Sequence, residues 1–155
     1  MNWKKINDAP ICFGSRNDAY GTFDIKESGL VYTFKLVHRS GSLSCNTDYP
    51  ASFWGCDHPN HGDKKLVTVI TYPNNTALLL ADYLRSDADC GYKYYSYQIA
   101  GIGVNSTEIL FNNLPIPLSV SIDLGFQIWF AQDLTDCSEN NNAGQTFADV
   151  YGLYA

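Results

Sequence analysis

Oxygen-bearing side chains crowd one segment near the C-terminus: Asp133, Asp136, Ser138, Glu139, Asn140, Asn141 and Asn142. Calcium takes about six to eight oxygen ligands, and loops at the end of a β scaffold supply them from side chains and carbonyls. Asp133, Asp136, Glu139 and Asn141 are therefore candidate calcium ligands, with Asp149 as a fifth. Asp149 interrupts an apolar strand and shares a face with Phe147, Tyr151 and Leu153. A carboxylate there needs a cation, a basic side chain or backbone N–H groups. The spacing is not that of an EF-hand. A solvated polar loop with one hydrogen-bonded Asp accounts for the same residues.

A second chemistry is sugar recognition. In the strand-like run 126–131, Phe126, Ile128 and Phe130 form the natural core set, so Trp129 shares the other face with Gln127. A flat apolar ring beside a polar amide suits a sugar's face and its hydroxyls. Trp54 and Tyr49 add aromatic rings on the loop enclosed by Cys45 and Cys56. The competing reading makes Trp129 core and the loop aromatics a plug for one end of it.

Other chemistries are weaker. The chain has no GxSxG, HExxH or P-loop, and nothing in the spacing of its carboxylates singles out a catalytic pair. A non-enzyme is expected. Asp57, His58, His61 and Asp63 fall within one short stretch, but its Pro and Gly make it a turn, and HxxH off a helix does not align both rings. His38 closes a strand and reads as a rim residue.

These residues need a scaffold, and the composition points to β structure. Among 155 residues there are 11 Tyr, 8 Phe and 12 Gly, against one Met. No segment carries a sustained helical apolar stripe. The net charge of −6 argues against nucleic acid, which demands a positive face. No apolar run approaches the ~20 residues a membrane span needs.

Strand patterns recur at 10–14, 20–25, 30–39, 66–72, 76–84, 92–99, 108–111, 116–122, 126–131 and 146–153, separated by turn residues. In 30–39 the alternation makes Leu30, Tyr32, Phe34, Leu36 and His38 the core face. About nine to eleven short strands at this spacing predict an all-β, antiparallel sandwich, jelly-roll-like, with a barrel as the alternative. It forms a single domain over 10–155, preceded by a polar arm at 1–9.

Cys12, Cys45, Cys56, Cys90 and Cys137 form no CxxC pair, which fits an oxidising compartment. A Cys45–Cys56 bridge would contribute about 3 kcal/mol. Cys12 or Cys90 to Cys137 comes next, and one thiol is left over. Asn74 and Asn105 begin glycosylation sequons. The chain is read as secreted, and its polar start, Met1-Asn2-Trp3-Lys4-Lys5, as a mature form without its leader.

Gly21–Phe23, Phe34–His38, Cys45, Trp54–Cys56, Gln127–Trp129, Asp133-Leu134, Asn141, Gly144 and Asp149–Tyr151 together resemble a secreted module of cnidarian and other marine invertebrate extracellular proteins. The resemblance implies secretion and disulfides and supplies no catalytic residues. Such modules often carry a further cysteine where this chain has Phe147, which would explain the odd thiol. The first expectation is a lectin-like module, calcium-assisted, with a glycan or extracellular glycoprotein as partner. The alternatives are a structural or adhesive protein that self-assembles as a homo-oligomer, and a carrier of a small apolar ligand.

Overall fold

The computed structural model describes residues 1–57, 65–78, 84–86, 93–137 and 139–155; for 84–86, 93–94 and 139 it describes the backbone alone. The described residues form eleven strands: β1 (Asn2–Lys5), β2 (Ile11–Gly14), β3 (Gly21–Asp24), β4 (Gly29–Ser44), β5 (Thr68–Thr71), β6 (Leu84–Ser86), β7 (Lys93–Tyr95), β8 (Glu108–Leu110), β9 (Leu118–Val120), β10 (Gly125–Phe130) and β11 (Ala143–Tyr154). A short helix, α1 (Ala131–Leu134), and a 3-10 turn (Glu139–Asn141) separate β10 from β11. All strand pairing is antiparallel.

Two sheets build the core. The larger runs β1-β11-β4-β8, with β2 pairing β11 and β9 pairing β4, and the smaller runs β3-β10-β5. Phe34 of the first meets Phe23 and Phe126 of the second at centroid distances of 5.8 and 5.6 Å. Phe126, Ile128 and Phe130 are all buried, as the alternation of β10 requires. The architecture is an all-β, sandwich-like fold.

The long pair β4–β11 departs from plain alternation twice. Phe34 faces Gly152 and Val31 faces Tyr154, so two residues, Tyr32 and Thr33, oppose Leu153 alone. This bulge shifts the inward set by one residue. Val31 is buried and Leu30 is 46 % exposed, against the expectation of Leu30 in the core. Phe34 and Leu36 keep their expected places, and His38 stacks on Phe53 at 3.5 Å. A second bulge leaves Arg39 without a partner between His38↔Ala148 and Ser40↔Phe147.

Close approach of the two chains demands glycine at two points. Gly41 and Gly144 have φ of +76° and +87°, and a Cβ on either would lie 2.2 or 2.3 Å from a backbone oxygen across the pair. The N-terminal segment also differs from the expected arm. Asn2–Lys5 forms an edge strand on β11, with Lys35 Nζ over the rings of Trp3 and Tyr151 at 4.6 and 5.2 Å.

Candidate functional site

The turn before β3 and the segment after β10 are stitched together. Asn17 and Asp18 both take left-handed backbone angles, φ +64° and +55°, which Asn and Asp tolerate better than other side chains. Asp133 of α1 is fully buried, and its two carboxylate oxygens accept the backbone N–H groups of Asp18 and Ala19 at 3.0 and 2.9 Å. Asn142 Nδ2 donates to Ser15 O at 2.8 Å, Ser15 Oγ to Ala143 O at 2.9 Å, and an Arg16 guanidinium N–H to Asn140 O at 3.1 Å. Five hydrogen bonds thus fix one turn onto the C-terminal segment.

The consequence is a carboxylate group that sequence reading did not assemble. Oxygens of Asp18, Asp133 and Asp136 lie within 4.8 Å of one another, with Asp18 and Asp136 exposed. Each pair of like charges at such a distance repels by roughly 1 kcal/mol even at the dielectric of water, and a divalent cation offsets that repulsion. Asp133 and Asp136 are two of the expected ligands; Asp18 is new. Three oxygen donors so placed could hold a hard cation, with further coordination positions left to other oxygens.

Of the other expected ligands, one stands elsewhere and the side chain of another is not described. Asp149 lies on β11, almost wholly buried, and belongs to an ion-pair network rather than to the carboxylate group. Asn7 Nδ2 donates to it at 2.8 Å, the Arg39 guanidinium at 3.0 Å, and Lys5 Nζ lies 3.7 Å away. The bulge at Arg39 leaves that residue free to turn toward Asp149. Asn141 is exposed, and its carbonyl accepts the Thr47 N–H at 3.1 Å. The side chain of Glu139 lies outside the described residues, as do Ser138 and the His58–His61 motif with Asp63.

The aromatic candidates are also corrected. Trp129 is only 3 % exposed; its Nε1 donates to Gln127 Oε1 at 2.9 Å, which also accepts from Thr71 Oγ1 at 2.9 Å. Gln127 and Trp129 do share a face, yet they satisfy each other beneath the surface. Tyr20 covers the indole, stacked at 4.6 Å, and is itself 41 % exposed. The ring open to solvent is therefore Tyr20, two residues from Asp18. Trp54 is wholly buried, its Nε1 donating to Ser106 O at 2.7 Å, so it is core and offers no sugar platform. Tyr49 is half-buried in the disulfide loop, its amide donating to Asn46 O at 3.1 Å.

Tyr20 and Asp18 had one sequence signal, the Asn17-Asp18 pair. Such residues favour left-handed turns, and a turn ahead of a strand is where a binding side chain is displayed.

The cysteines divide unevenly. Cys45 and Cys56 are bonded, with Cα atoms 5.4 Å apart. Cys137 is also disulfide-bonded, and Cys90 lies outside the described residues. Cys12, expected as a possible partner of Cys137, is a free thiol. Its cross-strand neighbour on β11 is Phe147, which has no sulfur to offer, and its Sγ donates to Gln145 Oε1 at 3.3 Å. Burial pushes its pKa up. The sequon residues Asn74 and Asn105 are both exposed at turns.

No protein-family model matches the chain, and no curated protein matches its sequence. Among solved structures it is similar to AJLec from the sea anemone Anthopleura japonica, at 23 % identity, over 99 % of this chain and 98 % of that one, with a TM-score of 0.79. The likeness establishes a shared fold from end to end.

Proposed function

We propose that this chain is a secreted carbohydrate-binding protein with a calcium-assisted site at the Ser15–Tyr20 turn. The observation that carries the reading is the exposed Tyr20 ring, backed by Trp129, beside the Asp18–Asp133–Asp136 carboxylates. The ring offers an apolar face to a pyranose, and the stack beneath it holds that face in place. Calcium on the carboxylates would fix the turn and add a polar anchor for hydroxyl oxygens. Support from fold comes through AJLec, a protein bearing a lectin's name. The disulfide is in keeping with an extracellular setting. Assembly through the odd thiol has less support, because Cys12 is half-buried and a raised pKa leaves little thiolate near neutral pH.

A glycan array probed in calcium and in chelator tests the proposal. The expected pattern is a defined glycan set bound in calcium, weakened by chelation and by Tyr20→Ala. No glycan signal at high protein concentration refutes carbohydrate binding.

A further inference from the structure

We propose that Asn74 is the N-glycosylation site of this chain and that Asn105 is not. The two sequons look alike as sequence, Asn74-Asn75-Thr76 and Asn105-Ser106-Thr107. Their surroundings differ.

Asn74 sits at the tip of a turn that three hydrogen bonds close within residues 72–76. The Thr76 N–H donates to Asn74 Oδ1 at 3.0 Å, the Asn75 N–H to Tyr72 O at 3.0 Å, and the Tyr72 N–H to Thr76 O at 2.9 Å. Asn75 takes φ +69°, an angle its residue type tolerates. The first of these bonds makes an Asx-turn, a local motif that a nascent chain can form before any tertiary structure exists. It occupies Oδ1 of this exposed residue with the sequon's own backbone. A donor on the amide oxygen also makes the Nδ2 protons easier to lose.

Asn105 is exposed too, but its Oδ1 accepts the N–H of Phe53, 52 residues away, at 3.3 Å. The rest of that sequon is drawn into the fold. Ser106 O accepts the Trp54 indole N–H at 2.7 Å, Ser106 Oγ accepts the Gly103 N–H at 2.8 Å, and Thr107 O accepts the His38 N–H at 2.9 Å. Its ordered conformation therefore depends on distant strands, and folding ties it down.

The donor is a polyprenyl-pyrophosphate-linked oligosaccharide. Asn74 Nδ2 bonds to the sugar's anomeric carbon as the bond from that carbon to the pyrophosphate oxygen breaks. The bonding pair leaves with the pyrophosphate, one amide proton is released, and no oxidation occurs.

The proposal rests on passage through a secretory pathway and not on sugar binding. The test supplies that passage: the full chain is expressed behind a heterologous secretory leader in eukaryotic cells. Intact mass and peptide mapping, with and without a glycan-releasing amidase, locate the modification. The expected result is one glycan, on Asn74, lost in Asn74→Gln and in Thr76→Ala and retained in Asn105→Gln. Two sequon variants are used so that a folding defect in one does not decide the outcome. Unmodified secreted protein overturns the proposal, as does a glycan on Asn105.

Discussion

Asp133 joins fold and site, and its replacement separates two contributions. In Asp133→Asn the new amide keeps one acceptor oxygen and turns an NH2 group toward the second backbone donor. One of the two bonds to Asp18 N–H and Ala19 N–H is lost. A hydrogen bond to a charged group contributes about 1.5–3 kcal/mol, so the variant should lose roughly that amount relative to Asp136→Asn, which relieves the same number of like-charge repulsions. For a domain of this length 1 kcal/mol moves Tm by about 2–4 °C, giving a fall of about 3–12 °C. Asp136 is the control, since it is exposed and its φ of +52° suits Asn as well as Asp. Asp136→Asn relieves two like-charge repulsions, as Asp133→Asn does, but leaves the bonds to the Asp18 and Ala19 N–H groups in place. Both are measured by thermal and urea unfolding in chelator, then again in calcium. The proposed cation site predicts that calcium raises the parent's Tm and raises that of both variants less. An Asp133→Asn protein as stable as Asp136→Asn in chelator would refute the reasoning that this carboxylate holds the turn.

Two further perturbations test the interior. Asp149→Asn should cost about 1–2 kcal/mol by urea unfolding, not the ~3–5 kcal/mol of a stranded buried charge, because Arg39 and Lys5 are 55 % and 42 % exposed and can turn to water; a loss above ~4 kcal/mol would show the guanidinium trapped. Tyr97 is fully buried, donates its hydroxyl to Thr68 O, and has its phenol pKa pushed well up by burial. An unfolded phenol ionises near pH ~10 and the folded one only higher, so this stabilisation is complete below ~10 and is lost as pH rises toward the folded value. Tyr97→Phe should therefore cost about 1 kcal/mol near neutrality and flatten the alkaline fall in stability; an unchanged alkaline limb would contradict the burial of that hydroxyl.

Local pattern made much of this molecule legible. The alternation in β10 marks Phe126, Ile128 and Phe130 as core, and the lone carboxylate of Asp149 amid apolar neighbours demands partners, which Asn7, Arg39 and Lys5 supply. The Cys45–Cys56 bridge follows from short loop closure. What pattern missed depends on distance or register. Asp18 meets Asp133 across 115 residues, and no local signal reports such a pairing. Tyr20 covering Trp129, and Trp54 lying inside the core, are decided by what the chain folds over each ring. Leu30 turned outward because a bulge adds one residue to β4, which periodicity cannot anticipate. Cys12 stayed unpaired because the register sets it against Phe147.

Whether the Tyr20 ring and the carboxylate group that Asp18 of the same turn joins form one binding site can be measured directly. The direct measurement is equilibrium titration of the strongest glycan from an array into the parent and into Tyr20→Ala, each in calcium and in chelator. The prediction is saturable binding in calcium, weakened roughly tenfold, about 1.4 kcal/mol, by loss of the ring, and weakened also by chelation. Equal affinity in the variant, or full affinity in chelator, would contradict it.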